Sequence, residues 1–151
     1  MPGTQPDTTY NIHLASHEEY QQSIALRLYV FCDIQGFPRG DEPDKYDAQA
    51  LQVVITHTGK VVGSLRIIKS PDATKLGRIV IHPEHQGKGL GRKLIEYAEI
   101  VIRNSEDYDV KSVKLGSQWD KKLFYEKCGY EPKGDIYDDG GSPHIWMHKD
   151  L

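Results

Sequence analysis

The sequence predicts a mixed α/β fold, in which one sheet carries helices on its faces. Apolar residues that alternate or run together mark seven short segments as strands, and apolar residues at helical spacing mark three segments as helices. Turn-forming residues separate these segments, which follow one another in the order β-α-β-β-β-α-β-α-β-β. With 151 residues, the chain is long enough for a single domain with its own hydrophobic core.

The first two elements are a strand and a helix. The strand runs from Tyr10 to Ala15, and Ser16-His17-Glu18-Glu19 forms a capping box that starts the helix. Three apolar residues at helical spacing form its predicted buried face: Ile24, Leu28 and Phe31. The helix should end near Gly36-Phe37-Pro38, and a polar loop rich in acids then extends to Asp47.

Three strands are predicted before the next helix. Leu51 to His57 and Lys60 to Lys69 flank Thr58-Gly59, which is typical of a tight hairpin. The third strand, Lys75 to His82, leads into a glycine-rich segment. The helix that follows has one continuous apolar face, formed by Leu90, Leu94, Ala98, Val101 and Ile102.

The C-terminal part contains a strand, a helix and a strand pair. The strand is Ser112 to Gly116, and the helix runs from Trp119 to Lys127 with Gly129 just after its end. The pair consists of Glu131 to Tyr137 and His144 to His148.

Composition excludes several functional classes. The net charge of −3 does not indicate a nucleic-acid binder, and no apolar run approaches the ~20 residues of a membrane-spanning helix. The seven histidines show no metal-ligand spacing, so no metal is expected. Two cysteines, expected as free thiols, favour a cytoplasmic protein. We predict a flexible leader, residues 1–9, and one domain, residues 10–151.

The segment Gln86-Gly87-Lys88-Gly89-Leu90-Gly91-Arg92-Lys93 carries the clearest functional signal. Its three glycines allow successive backbone N–H groups to form a concave nest for an anion, and the helix N-terminus adds a partial positive charge. Lys88, Arg92 and Lys93 add full positive charges, and no acid is present. The segment therefore predicts a site for a phosphorylated ligand, in particular a diphosphate.

The glycine spacing differs from that of two common nucleotide-binding loops. A Walker loop requires Gly-Lys-Ser/Thr, whereas Gly89 follows Lys88 here. A Rossmann fingerprint requires Gly-x-Gly-x-x-Gly in the first β–α turn, whereas several predicted strands precede these alternating glycines. The pattern present is Gln-x-x-Gly-x-Gly, which resembles the acetyl-coenzyme A loop of the GCN5-related N-acetyltransferases (GNAT).

Two further segments resemble the same family in the same order. Arg78 to Pro83 is similar to its pantetheine-binding strand, and Leu123 to Tyr130 is similar to its second helix signature. Three segments resemble the ElaA-like subgroup: Arg27-Leu28-Tyr29-Val30-Phe31, Asp41-Glu42-Pro43-Asp44 and Ser142-Pro143-His144-Ile145. Cys32-Asp33-Ile34-Gln35 departs from the subgroup pattern Val-x-Glu-Gln. The resemblance covers about residues 10–150.

The resemblance implies a GNAT-like mixed, mostly antiparallel sheet flanked by helices, with acetyl-coenzyme A as the acetyl donor. The implied cofactor-binding residues are Ile79, Val80, Ile81, Gln86, Gly87, Lys88, Gly89, Leu90, Gly91, Arg92 and Gln118. Tyr125 is the implied general acid toward the coenzyme A sulfur, although a helical tyrosine also packs on sheets. Gln118 is otherwise an ordinary helix-start residue.

The acceptor side is less determined by the sequence. Glu42, Asp44 and His144 are candidates for the general base or for acceptor binding, while a relayed water or bulk solvent would also serve as base. Acids cluster in two predicted loops, 41–47 and 135–139, where they either attract a cationic amine or simply remain solvated.

The predicted function is transfer of the acetyl group of acetyl-coenzyme A to a primary amine, by direct attack on the thioester. The acceptor would be a small-molecule or peptide amine, without nucleic-acid or membrane partners. Relatives are often dimers, which implies a homodimer. Two alternatives are a non-catalytic acyl-coenzyme A-binding module and a nucleotide-binding regulator.

Overall fold

A seven-stranded sheet in the order β1-β2-β3-β4-β5-β7-β6 forms the centre of the computed structural model, which describes residues 9–108 and 111–151. Its strands are β1 (Tyr10–Leu14), β2 (Leu51–His57), β3 (Lys60–Ile68), β4 (Thr74–Ile81), β5 (Ser112–Gln118), β6 (Glu131–Asp139) and β7 (Ser142–Asp150). Neighbouring strands are antiparallel except β4 and β5, which are parallel. The predicted mixed, mostly antiparallel sheet is confirmed. Of the predicted leader, only Thr9 lies within the described residues.

Three α-helices flank the sheet, namely α1 (His17–Arg27), α2 (Leu90–Asn104) and α3 (Lys122–Lys127). The predicted order of strands and helices is confirmed. The helix predicted from Trp119 is divided, because a 3₁₀ turn at Trp119–Lys121 precedes α3. Among the described residues, no helix is both long and apolar enough to cross a membrane.

The main core lies between the sheet and α2. The predicted apolar face of α2 is correct, since Leu90, Leu94, Ala98 and Ile102 are buried and Val101 is half-buried against them. These side chains meet alternate residues of the central strands, such as Val53, Ile55, Val113 and Leu115. On the other face, Leu26 and Val30 pack against Val80 of β4. The two faces of the sheet thus carry separate apolar clusters.

α1 begins as predicted but buries a different face. The capping box is present, with Ser16 Oγ 3.2 Å from the Glu19 N–H and Glu19 Oε1 2.9 Å from the Ser16 N–H. The predicted buried face is wrong, because Ile24, Leu28 and Phe31 are only half-buried. A π-helical segment, Leu28–Ile34, continues α1, and the buried positions are Ser23, Leu26, Arg27, Val30 and Cys32. The side chain of Arg27 lies inside the protein because its guanidinium is paired there with the carboxylates of Asp47 and Glu42.

Six charged residues join the loop before β2 to the rest of the fold, and we call them the arginine–carboxylate network: Arg27, Glu42, Asp44, Asp47, Arg66 and Arg78. Arg27 Nη1 lies 2.7 Å from Asp47 Oδ1, and both side chains are almost fully buried. Arg66 donates two bonds to Asp44, of 2.6 and 2.9 Å. Charges buried this deeply require such pairing.

The network also sets the charge state of its acids. Burial raises the pKa of Asp44, but hydrogen bonding and the positive charge of Arg66 outweigh burial and lower that pKa to about 2. Burial also raises the pKa of Asp47, but the hydrogen bond and the positive charge of Arg27 outweigh burial and leave that pKa below its usual value. The predicted loop is therefore an ion-paired segment rather than a solvated one.

Removing one member of the network should destabilise the fold strongly. We expect Asp47→Ala to lower the free energy of unfolding by about 3–5 kcal/mol, because the buried Arg27 would keep only its 3.4 Å contact with Glu42 and Arg66 would keep only Asp44. The matched control is Asp33→Ala, which removes the partner of Arg39 from an exposed ion pair and should change stability by about 1 kcal/mol or less. Urea denaturation measures both, and equal losses would contradict the assignment.

Candidate active site

The candidate site is the opening between β4 and β5. These parallel strands pair only from Thr74–Val113 to Leu76–Leu115, whereas β5 pairs with β7 along its whole length, from Ser112 to Gln118. A cavity of about 940 Å³ occupies the divergence and is lined by β4 residues 77–81. Beyond Leu76, β4 still pairs with β3 on one edge, while its other edge borders this cavity instead of pairing with β5.

A β-bulge in β4 accompanies this divergence. Ser64 of β3 pairs with Val80 and Arg66 pairs with Gly77, so that Arg78 and Ile79 stand opposite the single residue Leu65. Arg78 adopts φ +51°, an uncommon value for a residue other than glycine. Its side chain bonds Glu42 and lies 3.2 Å from Asp44, so the network supports this conformation. Bulges bend a strand, which accounts for the separation of β4 from β5.

The glycine-rich segment follows β4 at one end of the cavity. Gly87 and Gly89 have φ values of +79° and +75°, and Gly89 is the N-cap of α2. A Cβ at either position would meet nothing within 4 Å, so their backbone dihedrals, rather than crowding by protein atoms, call for glycine. The first N–H groups of α2 have no acceptor within the helix. Such N–H groups at a helix N-terminus are a common anion-binding feature of proteins, and here they lie at one end of the cavity.

Gly91 serves a different purpose from the two glycines before it. A Cβ on Gly91 would lie 3.2 Å from Cζ of Phe124, so this glycine allows α3 to pack against α2. The sequence predicts that all three glycines contribute to an anion-binding nest. At Gly91, the packing of Phe124 gives a separate reason for glycine.

Two basic side chains of the segment, Lys88 and Arg92, do not line the cavity and instead contact other protein groups. Lys88 Nζ lies 3.1 Å from Tyr10 Oη, and Tyr10 Oη lies 2.8 Å from His85 Nδ1. Arg92 Nε lies 3.1 Å from Glu96, in an exposed pair. The sequence did not predict that Tyr10 and His85 hold Lys88 through this chain of hydrogen bonds, because Tyr10 lies 78 positions from Lys88. Gln86 Nε2 donates to the carbonyl oxygen of Ile81 at 3.0 Å and so braces the segment against β4.

Tyr125 lies on α3 with its ring in the main core and its side chain lining the cavity. The ring contacts Phe124 edge to face, with 5.0 Å between centroids. Among the described residues, no side chain or backbone group is hydrogen-bonded to its hydroxyl, which is therefore available to a ligand. Burial, followed by nearby Cys128, raises the pKa of Tyr125. The phenol consequently keeps its proton at neutral pH, as a proton donor must.

Gln118 lies at the last position of β5, two residues beyond the predicted end of the strand, and it is also the N-cap of the 3₁₀ turn Trp119–Lys121 that precedes α3. Its Nε2 donates to Gln35 Oε1 at 2.9 Å, which connects β5 to the segment after α1. His144 of β7 stands directly across from Gln118 in the sheet. Both residues line the cavity, together with four aromatic residues: Phe37, Tyr46, Tyr137 and Trp146.

The acids of the cavity fall into two groups. Glu42 and Asp44 line it but are already paired with arginines, which neutralise their charge locally. Asp41 and Asp139 also line it, and neither forms an ion pair with any described residue. The structure therefore brings together the predicted acceptor residues, while most of the free negative charge comes from two other acids. No three His, Cys, Asp or Glu side chains in the described ranges could hold a metal ion.

The site combines four chemical elements around one cavity. These are an unpaired strand edge, a glycine loop at a helix N-terminus, a protonated tyrosine and a histidine among aromatic rings. An unpaired edge can hydrogen-bond an extended chain of amides, and the loop can hold phosphates. A long donor with a phosphorylated end and a reactive end near Tyr125 would fit this arrangement.

Comparison with known proteins agrees with this geometry. The Acetyltransferase (GNAT) domain family matches residues 49–132, which are more than half of the chain. The UPF0039 protein C11D3.02c of Schizosaccharomyces pombe is 30% identical over 138 residues, which are 89% of each chain. Protein ElaA of Escherichia coli is 26% identical over 132 residues, which are 85% of each chain.

Solved structures give the same fold. The crystal structure of Escherichia coli ElaA has a TM-score of 0.79 and 24% identity, and the match covers 94% of this chain and 99% of that one. An aminoglycoside 6′-N-acetyltransferase complexed with coenzyme A has a TM-score of 0.72 and 17% identity, over 93% and 96% of the two chains. The family match and these relatives together show that the protein belongs to the GNAT superfamily and is an ElaA-like member of it.

Proposed function

We propose that the protein is an N-acetyltransferase that moves the acetyl group of acetyl-coenzyme A to a primary amine. The observation that carries this proposal is the continuous path from the unpaired edge of β4 to the glycine loop and the N-terminus of α2. Acetyl-coenzyme A has the matching sequence of groups, with a thioester, two amides and a diphosphate. The family match supports the same donor.

The donor would lie along β4 with its diphosphate at α2. Ile79, Val80 and Ile81 line the divergence, and their backbone groups on that edge would bond the pantetheine amides. The segment Gln86 to Arg92 would hold the diphosphate, chiefly through its backbone N–H groups, because Lys88 and Arg92 already have protein partners. Gln118, on the opposite side of the cavity, would contact the donor near its reactive end.

Tyr125 would act at the reactive end of the donor. When the amine attacks the thioester, the sulfur leaves as a thiolate and requires a proton or a hydrogen bond. The unpartnered hydroxyl of Tyr125, protonated because burial raises its pKa, is suited to supply one. A non-catalytic acyl-coenzyme A-binding module, the alternative, would not need this hydroxyl.

The acceptor would enter from the side of the aromatic residues and free acids. Asp41 and Asp139 would attract a protonated amine toward the cavity, since their charges lack a protein partner. Glu42 and Asp44 remain predicted acceptor-binding residues, and their pairing with arginines suits them to hold the loop in position. The cytoplasmic location and the homodimer stay predictions.

Gly89→Val should weaken acetyl-coenzyme A binding more than Lys88→Ala. Valine at φ +75° is strained by about 1–2 kcal/mol, which corresponds to about a ten-fold loss of affinity if binding requires that conformation. Lys88→Ala removes one exposed charge. Calorimetry measures the affinities, and circular dichroism verifies folding. The matched control is Gly134→Val, at φ +83° on β6 away from the cavity, which should bind normally. Wild-type affinity in folded Gly89→Val would contradict the placement of the diphosphate.

Tyr125→Phe should lower kcat by about 10²–10⁴-fold and leave acetyl-coenzyme A affinity nearly unchanged, because the ring that packs is kept. Free-thiol release with a primary amine gives kcat. Tyr130→Phe is the matched control, since its hydroxyl donates to Glu99 at 2.9 Å in the same core. It should lower stability by about 1 kcal/mol or more without changing kcat. Unchanged kcat in Tyr125→Phe would reduce Tyr125 to a packing role, whereas wild-type protein that binds acetyl-coenzyme A without releasing thiol would favour the binding-module alternative.

Asp41→Asn combined with Asp139→Asn should raise the KM of a cationic amine about two- to five-fold, since each exposed charge contributes at most about 1 kcal/mol. The KM of acetyl-coenzyme A should not change. Asp135→Asn, on exposed β6 outside the cavity, is the matched control. Glu42→Gln should instead lower stability, because it leaves Arg27 and Arg78 under-compensated. If the KM of the amine is the same in all of these variants, Asp41 and Asp139 do not contribute to binding of the acceptor.

A further inference from the structure

One nitrogen of the His144 ring is held by the protein and the other is free. Nδ1 lies 2.9 Å from the carbonyl oxygen of Ser142. A carbonyl oxygen can only accept, so Nδ1 carries the hydrogen, and the neutral ring must present a lone pair at Nε2. Among the described residues, no group is hydrogen-bonded to Nε2, although the residue is 6% exposed and lines the cavity. The fold thus places a nitrogen with a free lone pair in the part of the cavity where the amine substrate would bind.

Two aromatic rings fix the orientation of the imidazole. Tyr137 lies 5.7 Å away between centroids and is tilted by 34°, and Phe37 lies 6.4 Å away, edge to face. Phe37 in turn contacts Gly140 in the turn between β6 and β7, where any Cβ would collide with its ring. The histidine is consequently enclosed by apolar surface while one nitrogen stays open.

His144 and Tyr125 approach the cavity from opposite faces of the sheet. Ile145 and Met147 of β7 are buried in the main core, which also contains the ring of Tyr125. Because side chains alternate along a strand, His144 and Trp146 point to the other face. An amine that attacks from one face and a thiolate that leaves toward the other would therefore meet different side chains.

The competing carboxylates are poor proton acceptors in this structure. Arg66 outweighs burial and lowers the pKa of Asp44 to about 2, and Glu42 is paired with both Arg78 and Arg27. With so low a pKa, Asp44 holds a proton only weakly at neutral pH, and both carboxylate oxygens of Glu42 are engaged by arginines. Of the three candidate bases, His144 alone has an unengaged acceptor atom.

We propose that His144 Nε2 accepts the proton lost by the attacking amine, an inference that rests on the proposed acetyl transfer. The protonated acceptor first releases one proton to solvent. The nitrogen lone pair then forms the new C–N bond, the C–S bond breaks, and its electron pair leaves with the sulfur. One N–H proton passes to Nε2, and the thiolate takes a proton from Tyr125. Solvent then returns a proton from the imidazolium to the tyrosine, so the products are the amide and free coenzyme A.

Other titratable groups near His144 must be separated from it in a test. Tyr137 and Asp139 of β6 line the same cavity, as does Asp41 from the loop before β2, while β5 contributes the neutral Gln118. Acidification would also protonate the amine acceptor. A variant that alters only the imidazole is therefore needed, measured with the same amine throughout.

The test uses His144→Asn, whose amide can still donate to Ser142 but cannot accept a proton. We expect kcat for free-thiol release from acetyl-coenzyme A to fall about 10²-fold or more, with acetyl-coenzyme A affinity unchanged. The pH profile of kcat should also differ from that of the wild type, because the imidazole is gone. In His144→Ala, added imidazole should restore part of the activity. His148→Asn, on the same strand and outside the cavity, is the matched control and should keep wild-type kcat.

Unchanged kcat and an unchanged pH profile in folded His144→Asn would overturn the assignment of His144. If that variant does not fold, His144→Gln also lacks a base, and the same two readouts apply to it. A different failure identifies the proposed function as wrong: wild-type protein that binds acetyl-coenzyme A but releases no thiol with any primary amine in a panel. In that case the His144 assignment is rejected with it.

Discussion

The buried pairing of three arginines with three carboxylates is the constraint on which the rest of the site depends. Arg27 comes from α1, Arg66 from β3 and Arg78 from the bulge of β4, whereas all three acids come from one loop. Each guanidinium would be strongly destabilising if buried alone, so the loop must dock where the acids reach them. One electrostatic requirement therefore positions a helix, two strands and the loop that borders the acceptor side.

The bulge in β4 shows how this constraint reaches the chemistry. Arg78 at positive φ would be unfavourable in an isolated strand, and its bonds to Glu42 and Asp44 compensate for that strain. With the bulge in place, β4 leaves β5 after three residue pairs and its backbone faces a cavity. Acids that look like a substrate-binding run in the sequence thus contribute first to the shape of the donor site.

The two faces of the sheet divide the proposed chemistry. α2 and α3 bring the anion-binding loop and Tyr125 to one side, and the segment after α1 with the β6–β7 hairpin brings the aromatic residues, His144 and two free acids to the other. Donor and acceptor would meet in the divergence between β4 and β5. In this arrangement, His144 would take a proton from the attacking amine on one side of the thioester carbon, and Tyr125 would give a proton to the leaving sulfur on the other side.

The sequence by itself determined the features that depend on neighbours in the chain. The capping box at Ser16, the hairpin at Thr58-Gly59, the apolar face of α2 and the glycines before it all follow from local rules of turn, cap and periodicity. Only the tertiary structure decided the buried face of α1, the charge state of Asp44 and the free nitrogen of His144. The physical reason is that each depends on partners distant in the chain: Asp44 meets Arg66 across 22 positions and Arg27 meets Asp47 across 20. The periodicity of α1 predicts that Arg27 lies on the exposed face of the helix, and only the tertiary structure shows that Asp47 lies within hydrogen-bonding distance of it.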